Sequence, residues 1–277
     1  MPENGEEKKM KKFLVLIVFA MIMIFALSCG NEKKSSGYEL ALITDVGTID
    51  DRSFNQGSWE GLKKYAEEKG ITHKYYQPTE KTTDAYIDSI DLAVAAGAKI
   101  VVTPGFLFEP AIYKAQDIHP EVNFVLLDGS PQDGNYQDFR IEKNVYSVFY
   151  AEEEAGFLAG YGAVKEGYTN LGFMGGMAVP AVVKFGYGFV QGVNYAAKEL
   201  GIRNVKADYN YLGGFNPSPE IQTKAASWYR NGVQVIFVAG GGAGNSVMSA
   251  AEQNNGYVIG VDVDQSSESP TVITSAM

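Results

Sequence analysis

From Tyr38 onward the chain alternates short, almost unbroken apolar runs with longer segments whose apolar positions recur every three or four residues. The runs are Leu40–Thr44, Lys99–Thr103, Asn123–Asp128, Asn170–Met174, Gln234–Ala239 and Tyr257–Asp262. Apolar residues at consecutive positions mean that both faces of a strand are covered, which is the pattern of a parallel sheet lying between helices. Between them the helical period predicts helices over Gln56–Lys69, Thr83–Ala96, Glu109–Ile118, Ala151–Lys165, Ala181–Leu200, Glu220–Arg230 and Gly244–Asn254. The βαβαβ order occurs twice, so the expected fold is α/β, with two lobes each built on a doubly wound parallel sheet. The lobes are expected at 38–146 and 147–277, each near the ordinary size of a domain. The pattern stops at Met277, just after the strand-like Thr271–Thr274 with no following helix. The second lobe is therefore expected to be cut short at its C-terminus.

Ligands of open α/β sheets bind beyond the carboxyl ends of the strands. Residues just after the runs are Asp45, Pro104-Gly-Phe106, Asp128, Gly175-Gly176, Gly240 to Gly244, and Asp262-Val-Asp264-Gln265. Acids, glycines and aromatics would thus meet at one edge.

Upstream of Tyr38 the pattern changes. Two lysines, Lys11 and Lys12, precede an apolar run from Phe13 to Leu27 that ends at small residues and Cys29. The run is shorter than the roughly 20 residues that cross a bilayer, so residues 1–28 read as a leader and signal peptide. Met10 is an alternative start, because Met1–Lys9 is too polar for a signal. Ala26-Leu-Ser-Cys29 resembles a bacterial lipoprotein box, with alanine where leucine is usual. The resemblance implies that Cys29 carries the lipid (palmitate) and that the polar residues 29–37 tether the domain to a membrane, facing the periplasm or the outside.

Composition removes several other classes. The chain holds 23 Lys+Arg against 33 Asp+Glu, a formal charge of −10, which argues against a nucleic-acid partner. With one cysteine and two distant histidines, His73 and His119, neither a disulfide framework nor a cysteine- or histidine-based metal site is expected.

Taken together, Asp45-Val-Gly-Thr-Ile-Asp-Asp-Arg-Ser-Phe-Asn-Gln-Gly57, Val125-Leu-Leu-Asp128, Gly172-Phe-Met-Gly-Gly176, Phe185-Gly-Tyr-Gly-Phe-Val-Gln-Gly192, Gly240-Gly-Gly-Ala-Gly244 and Ile259-Gly-Val-Asp-Val-Asp-Gln265 resemble the basic membrane protein family. These are lipid-anchored substrate-binding proteins of nucleoside ABC transporters, similar to the purine nucleoside receptor of spirochaetes. The resemblance spans Tyr38 to Met277 and implies a type I periplasmic-binding-protein fold, whose two lobes close over a ligand. It also implies a purine nucleoside (guanosine, adenosine or inosine) as ligand, an ABC permease as partner, no cofactor and no catalysis. A monomer is expected, since a closing cleft works alone. The family's ribose-contacting lysine would follow the Val-Ile-Thr-Ser stretch, beyond the last residue of this sequence.

The candidate ligand residues are Asp45, Ser53, Phe54, Asn55, Asp128, Phe185, Phe215 and Asp262, each with a structural rival. Phe54, before a helix, can stack on a base, as the resemblance implies, or pack locally. Ser53 can contact ligand or cap the helix. Asp45 and Asp128, at strand ends, can accept from base N–H groups, whereas Asp50 and Asp51 are expected to cap the turn. Asp262 can accept from ribose hydroxyls, with Asp264 and Gln265 in a turn or hinge. Phe185 shares a helix face with Val182, Phe189, Val193 and Ala196 and reads first as core. It competes with Phe215, in a glycine-flanked loop, for the role of second stacking aromatic. Rival functions are a sugar receptor of the same fold, a nucleoside-hydrolysing enzyme and a surface adhesin. Gly240 to Gly244 lacks the Gly-x-Gly-x-x-Gly spacing, and no Walker lysine is present, which weakens nucleotide-dependent enzymes.

Overall fold

The computed structural model describes residues 38–45 and 47–277. The leader, Cys29 and the tether expected over residues 1–37 lie outside the described residues. Among those described, no helix is long and apolar enough to cross a membrane.

Two five-stranded sheets, parallel throughout, organise the chain. The first contains β1 (Leu40–Ile43), β2 (His73–Tyr76), β3 (Ile100–Pro104), β4 (Asn123–Leu127) and β5 (Val145–Val148), in the spatial order β2-β1-β3-β4-β5. Its helices are α1 (Phe54–Lys69), α2 (Thr83–Ala95) and α3 (Glu109–Ile118). The second contains β6 (Asn170–Gly175), β7 (Lys206–Tyr211), β8 (Val235–Ala239), β9 (Tyr257–Val261) and β10 (Val272–Ala276), in the order β7-β6-β8-β9-β10. Helices α4 (Glu152–Lys165), α5 (Pro180–Leu200), α6 (Pro219–Arg230) and α7 (Ala243–Asn254) cover it. Counted from its own first strand, each sheet has the order 2-1-3-4-5. The lobes repeat one topology.

Period-two alternation sends neighbouring residues of a strand to opposite faces. In β1, Leu40 and Leu42 pack with Leu62 and Ala66 of α1, while Ala41 and Ile43 pack with Ile90 of α2, Ile112 of α3 and Phe108 just before α3. In β8, Val235, Phe237 and Ala239 face Phe185 and Phe189 of α5, while Ile236 and Val238 face α6 and α7 through Ala225 and Val247. None of the four apolar clusters takes residues from both lobes.

Four strands, β2, β5, β7 and β10, are absent from the six apolar runs because each lies at an edge of its sheet, where residues such as Lys74, Tyr75, Tyr146 and Tyr209 are exposed; β10 is the strand-like stretch noted at the end of the sequence. The boundary expected between Tyr146 and Ser147 falls inside β5, which pairs with β4 along all four residues; the passage between lobes runs from Phe149 to Ala151.

Helices α4 and α5 lie side by side and run in the same direction at backbone contact. A methyl group on Gly156 or Gly160 would collide with the carbonyl oxygens of Phe185 and Phe189, and one on Gly188 or Gly192 with those of Glu153 and Phe157. Glycine is needed here for lack of space.

Candidate ligand-binding cleft

The carboxyl ends of both sheets open on one cleft of about 1360 Å³, and all eight candidate residues line it. From the first lobe come Asp45 after β1, the Ser53–Asn55 segment opening α1, Phe106 after β3 and Asp128 after β4. Phe215 after β7, Gly240–Gly242 after β8 and Asp262 after β9 come from the second. Tyr150 and Glu152, at the passage between lobes, complete the wall. Asp128 and Asp262 occupy the same topological position, directly after the fourth strand of each sheet, and both adopt left-handed backbone (φ +59° and +67°).

The start of α1 is organised by Asp51. Its Oδ1 accepts from the backbone N–H groups of Ser53 (2.9 Å) and Gln56 (3.0 Å), and its Oδ2 from the N–H of Asn55 (3.2 Å) and the Asn55 side-chain amide (3.0 Å). Ser53 occupies the cap position without capping through its side chain. Its hydroxyl instead donates across the cleft to Asp262 Oδ2. The capping role considered for Ser53 thus belongs to Asp51, whose anionic oxygens suit the helix N-terminus better than a hydroxyl does. Removing them leaves three orphaned N–H groups. Asp51→Ala is expected to cost about 1–2 kcal/mol, a loss of roughly 2–8 °C in Tm by circular dichroism, with Asp51→Asn falling in between.

Asn55 is buried and its orientation is fixed, because its amide also donates to Asp45 Oδ1 (3.1 Å). Its Oδ1 therefore points away from both aspartates, and it is buried without a partner. Asp45 Oδ1 also accepts from the Gly47 N–H at 2.6 Å. Burial pushes the Asp45 carboxyl above the ordinary range, while the Gly47 and Asn55 donors pull it back.

Phe54, the first residue of α1, is half-buried and belongs to none of the apolar clusters. Its ring meets Tyr150 edge-on, with centroids 6.3 Å apart at 88°. Phe185 packs in the core, as its helix face suggests: it is 8% exposed and its ring stands edge-on to Phe237 at 5.8 Å, while part of it also lines the cleft. Phe215 lies partly exposed over Gly176, where a methyl group would strike its ring.

The passage between lobes holds an acid cluster that the sequence pattern did not single out. Asp128 and Glu152 both line the cleft here, and Lys184 Nζ donates to Glu152 Oε2 at 2.9 Å. Glu152 is 4% exposed, and its Oε1 is buried without a partner. Burial first, then Glu152, push the Asp128 carboxyl up to about 7 against the pull of Lys184. Burial likewise pushes Asp262 up to about 6, opposed by the Ser53 hydroxyl. Both carboxyls hold a proton more tightly in the folded chain than in the unfolded one. They therefore withdraw stability as pH rises from about 4 to about 7.

Contacts between the lobes gather at one edge of the cleft. Beside the Ser53–Asp262 hydrogen bond, Arg52 pairs with Glu268, and Gln265 Nε2 donates to the Arg52 carbonyl at 2.6 Å. Gln265, whose carbonyl accepts from the Glu268 N–H in a turn, thus ties the second lobe to the first. Among the described residues, no group of three or more histidine, cysteine, aspartate or glutamate side chains is placed to hold a metal ion.

A family model described as "ABC transporter substrate-binding protein PnrA-like" matches residues 38–277. Among curated proteins, the chain is 32% identical to the "ABC transporter nucleoside-binding protein BmpA" of Lactococcus lactis, over 84% of this chain and 66% of that protein. It is 31% identical to basic membrane protein A1 of Borrelia garinii, over 96% of this chain and 76% of that protein. The chain thus spans about two thirds to three quarters of the length of these relatives. Among solved structures, an ABC transporter solute-binding protein from Aeropyrum pernix superposes with a TM-score of 0.73 at 26% identity, covering 86% of this chain and 66% of that one. A periplasmic binding protein from Alkaliphilus metalliredigens, complexed with D-xylulofuranose, superposes at 0.60 with 14% identity and shares the fold.

Proposed function

Because the chain belongs to the PnrA-like family of ABC transporter substrate-binding proteins, a family of binding proteins rather than enzymes, we propose that it captures a purine nucleoside between its lobes for delivery to an ABC permease. The observation that carries this reading is the pair of buried acceptors in the cleft, Asn55 Oδ1 and Glu152 Oε1, which no protein donor satisfies. An unpaired buried acceptor costs on the order of 1–3 kcal/mol, so the cleft is built for a molecule that brings its own N–H or O–H groups. The aromatic rings of Phe54 and Phe215, one from each lobe, suit a flat base, and Asp262 suits the hydroxyls of a ribose. The nucleoside named for the Lactococcus lactis relative agrees with that chemistry.

Binding requires no chemistry from the protein. The lobes share no apolar core, so they can separate and close as rigid bodies, and a ligand bridging them favours the closed state. Both walls come from one chain, so a monomer suffices. Lipid attachment at Cys29 would hold the protein at the membrane surface beside its permease. Calorimetry against inosine, guanosine, adenosine, uridine, free bases and ribose tests the reading. One-to-one binding of purine nucleosides, with ribose silent, is the expected result. Binding of a pentose or hexose alone would overturn the ligand class and leave the fold in place.

A further inference from the structure

We infer that the start of α1 in the first lobe and the turn after β9 in the second form a latch across the cleft, in which Arg52 and Gln265 set how long a ligand stays bound. Neither residue lines the cleft, so this role is separate from ligand contact. The latch belongs to the closing motion proposed above and rests on that reading, although half of its test needs no ligand.

Both stretches come from motifs singled out in the sequence, Asp51-Arg-Ser-Phe-Asn-Gln-Gly57 and Gly260-Val-Asp-Val-Asp-Gln265. The ligand reading uses Ser53, Phe54, Asn55 and Asp262 and leaves the rest without a task. Four contacts join the two stretches, each running from lobe to lobe. The Ser53 hydroxyl donates to Asp262, and Gln265 Nε2 donates to the Arg52 carbonyl at 2.6 Å. The Arg52 guanidinium pairs with Glu268, three residues beyond the second motif. Val263 packs over Gly57, where an added methyl group would lie 3.0 Å from its Cγ1.

The orientation of Gln265 is fixed by its own lobe. It is 3% exposed, its backbone N–H donates to the Ser275 hydroxyl at 3.0 Å, and its Oε1 accepts from the Val261 N–H at 3.0 Å. A backbone N–H can only donate and a carbonyl can only accept, so the Val261 and Arg52 partners leave no choice about which way the amide faces. On the opposite side Arg52 adopts left-handed backbone, φ +57°, a costly conformation for a residue with a long side chain. Such strain persists where the surroundings hold it in place. Here the Arg52 N–H is held by Gln56 Oε1 at 3.0 Å, and its carbonyl by the other lobe.

Opening the cleft breaks all four contacts at once. Each therefore favours the closed state in addition to whatever the ligand contributes. Release requires opening, so a weakened latch shows itself as faster dissociation; association starts from the open form and changes little.

Gln265→Glu keeps the acceptor for Val261 and sets a second acceptor against the Arg52 carbonyl. Stopped-flow release of inosine is expected to quicken about tenfold, with association within about twofold of wild type. Glu268→Arg, at a partly exposed site, places two cations face to face and is expected to quicken release about threefold at low salt and less at high salt. The charge swap Arg52→Glu/Glu268→Arg restores the wild-type rate, which a purely local role for either side chain would not. Small-angle X-ray scattering without nucleoside reads the same equilibrium, with a larger radius of gyration in Gln265→Glu and Glu268→Arg and a wild-type value in the swap. Wild-type release from both single variants, or a swap that fails to restore the rate, overturns the latch and leaves the nucleoside reading standing. If Gln265→Glu does not fold, Glu268→Arg and the swap decide by the same criteria. If inosine does not bind, the nucleoside reading fails and scattering decides alone: the stated order of radii supports the latch, and equal radii in all four proteins overturn it.

Discussion

Phe54→Ala is expected to weaken purine nucleoside binding by about 5- to 150-fold, with little change in Tm. The size follows from the loss of one base-stacking ring, which contributes about 1–3 kcal/mol. The small stability effect follows from position, because Phe54 stands at the mouth of α1 outside both apolar clusters of its lobe. Its one ring contact, the edge of Tyr150, would be relieved rather than left with a buried cavity. Phe54→Trp keeps a flat face at the same site and is expected to retain most of the affinity. Calorimetric titration of the three proteins with the same nucleoside settles the point. Equal affinity in wild type and Phe54→Ala would remove Phe54 from the ligand wall and reduce it to a partner for Tyr150.

The largest stability effect is expected in α4, where two substitutions two residues apart act in opposite directions. At Gly160 a side chain would press on the Phe189 carbonyl and the Val193 N–H of α5, both backbone atoms that cannot turn aside. Gly160→Val must therefore push the helices apart, unpacking the α4/α5 face of the second sheet around Phe173, Phe189 and Phe237. A loss of about 3 kcal/mol or more is expected, equivalent to at least roughly 6–12 °C in Tm or failure to fold. At Gly162 nothing lies within 4 Å of the added methyl group. Gly162→Ala should gain about 1 kcal/mol from helix propensity, raising Tm by about 2–4 °C. Differential scanning calorimetry of both variants checks the pair. If Gly160→Val melts like wild type, the close approach of the helices is not what holds the second lobe together.

Much of this architecture is legible in the chain because buried parallel strands leave a strong signature. Leu40-Ala-Leu-Ile43 and Val235-Ile-Phe-Val-Ala239 are apolar at every position, and both lie inside their sheets. His73-Lys-Tyr-Tyr76 and Val145-Tyr-Ser-Val148 carry no such run, since an edge strand has one covered flank and the sequence has no need to keep it apolar. The missed β5 also misplaced the boundary between lobes by a few residues, and with it the attention given to Tyr150 and Glu152. A strand-end rule finds Asp45, Asp128 and Asp262 readily. It has nothing to say about a passage whose neighbours are not apolar. Phe185 illustrates a different gap: periodicity assigned it correctly to a helix face, but only the Phe237 ring against it decides that the face is core. Asp51 caps the start of α1, whereas Ser53 reaches Asp262 instead of capping; both roles use the same kinds of atom, and distance alone separates them.

The two aspartates after the fourth strands carry a cost of their own. A non-glycine residue in the left-handed region gives up roughly 1 kcal/mol relative to glycine, although aspartate tolerates it better than most. The chain accepts that cost twice, at Asp128 and at Asp262, and adds to it the burial of both carboxyls. Glycine at either position would relieve that strain and, on the nucleoside reading, take away an acceptor from the cleft. On that reading the repeated strain marks where stability is exchanged for recognition, and it sets a limit on how far this scaffold can be hardened by consensus or thermostabilising substitutions without cost to binding.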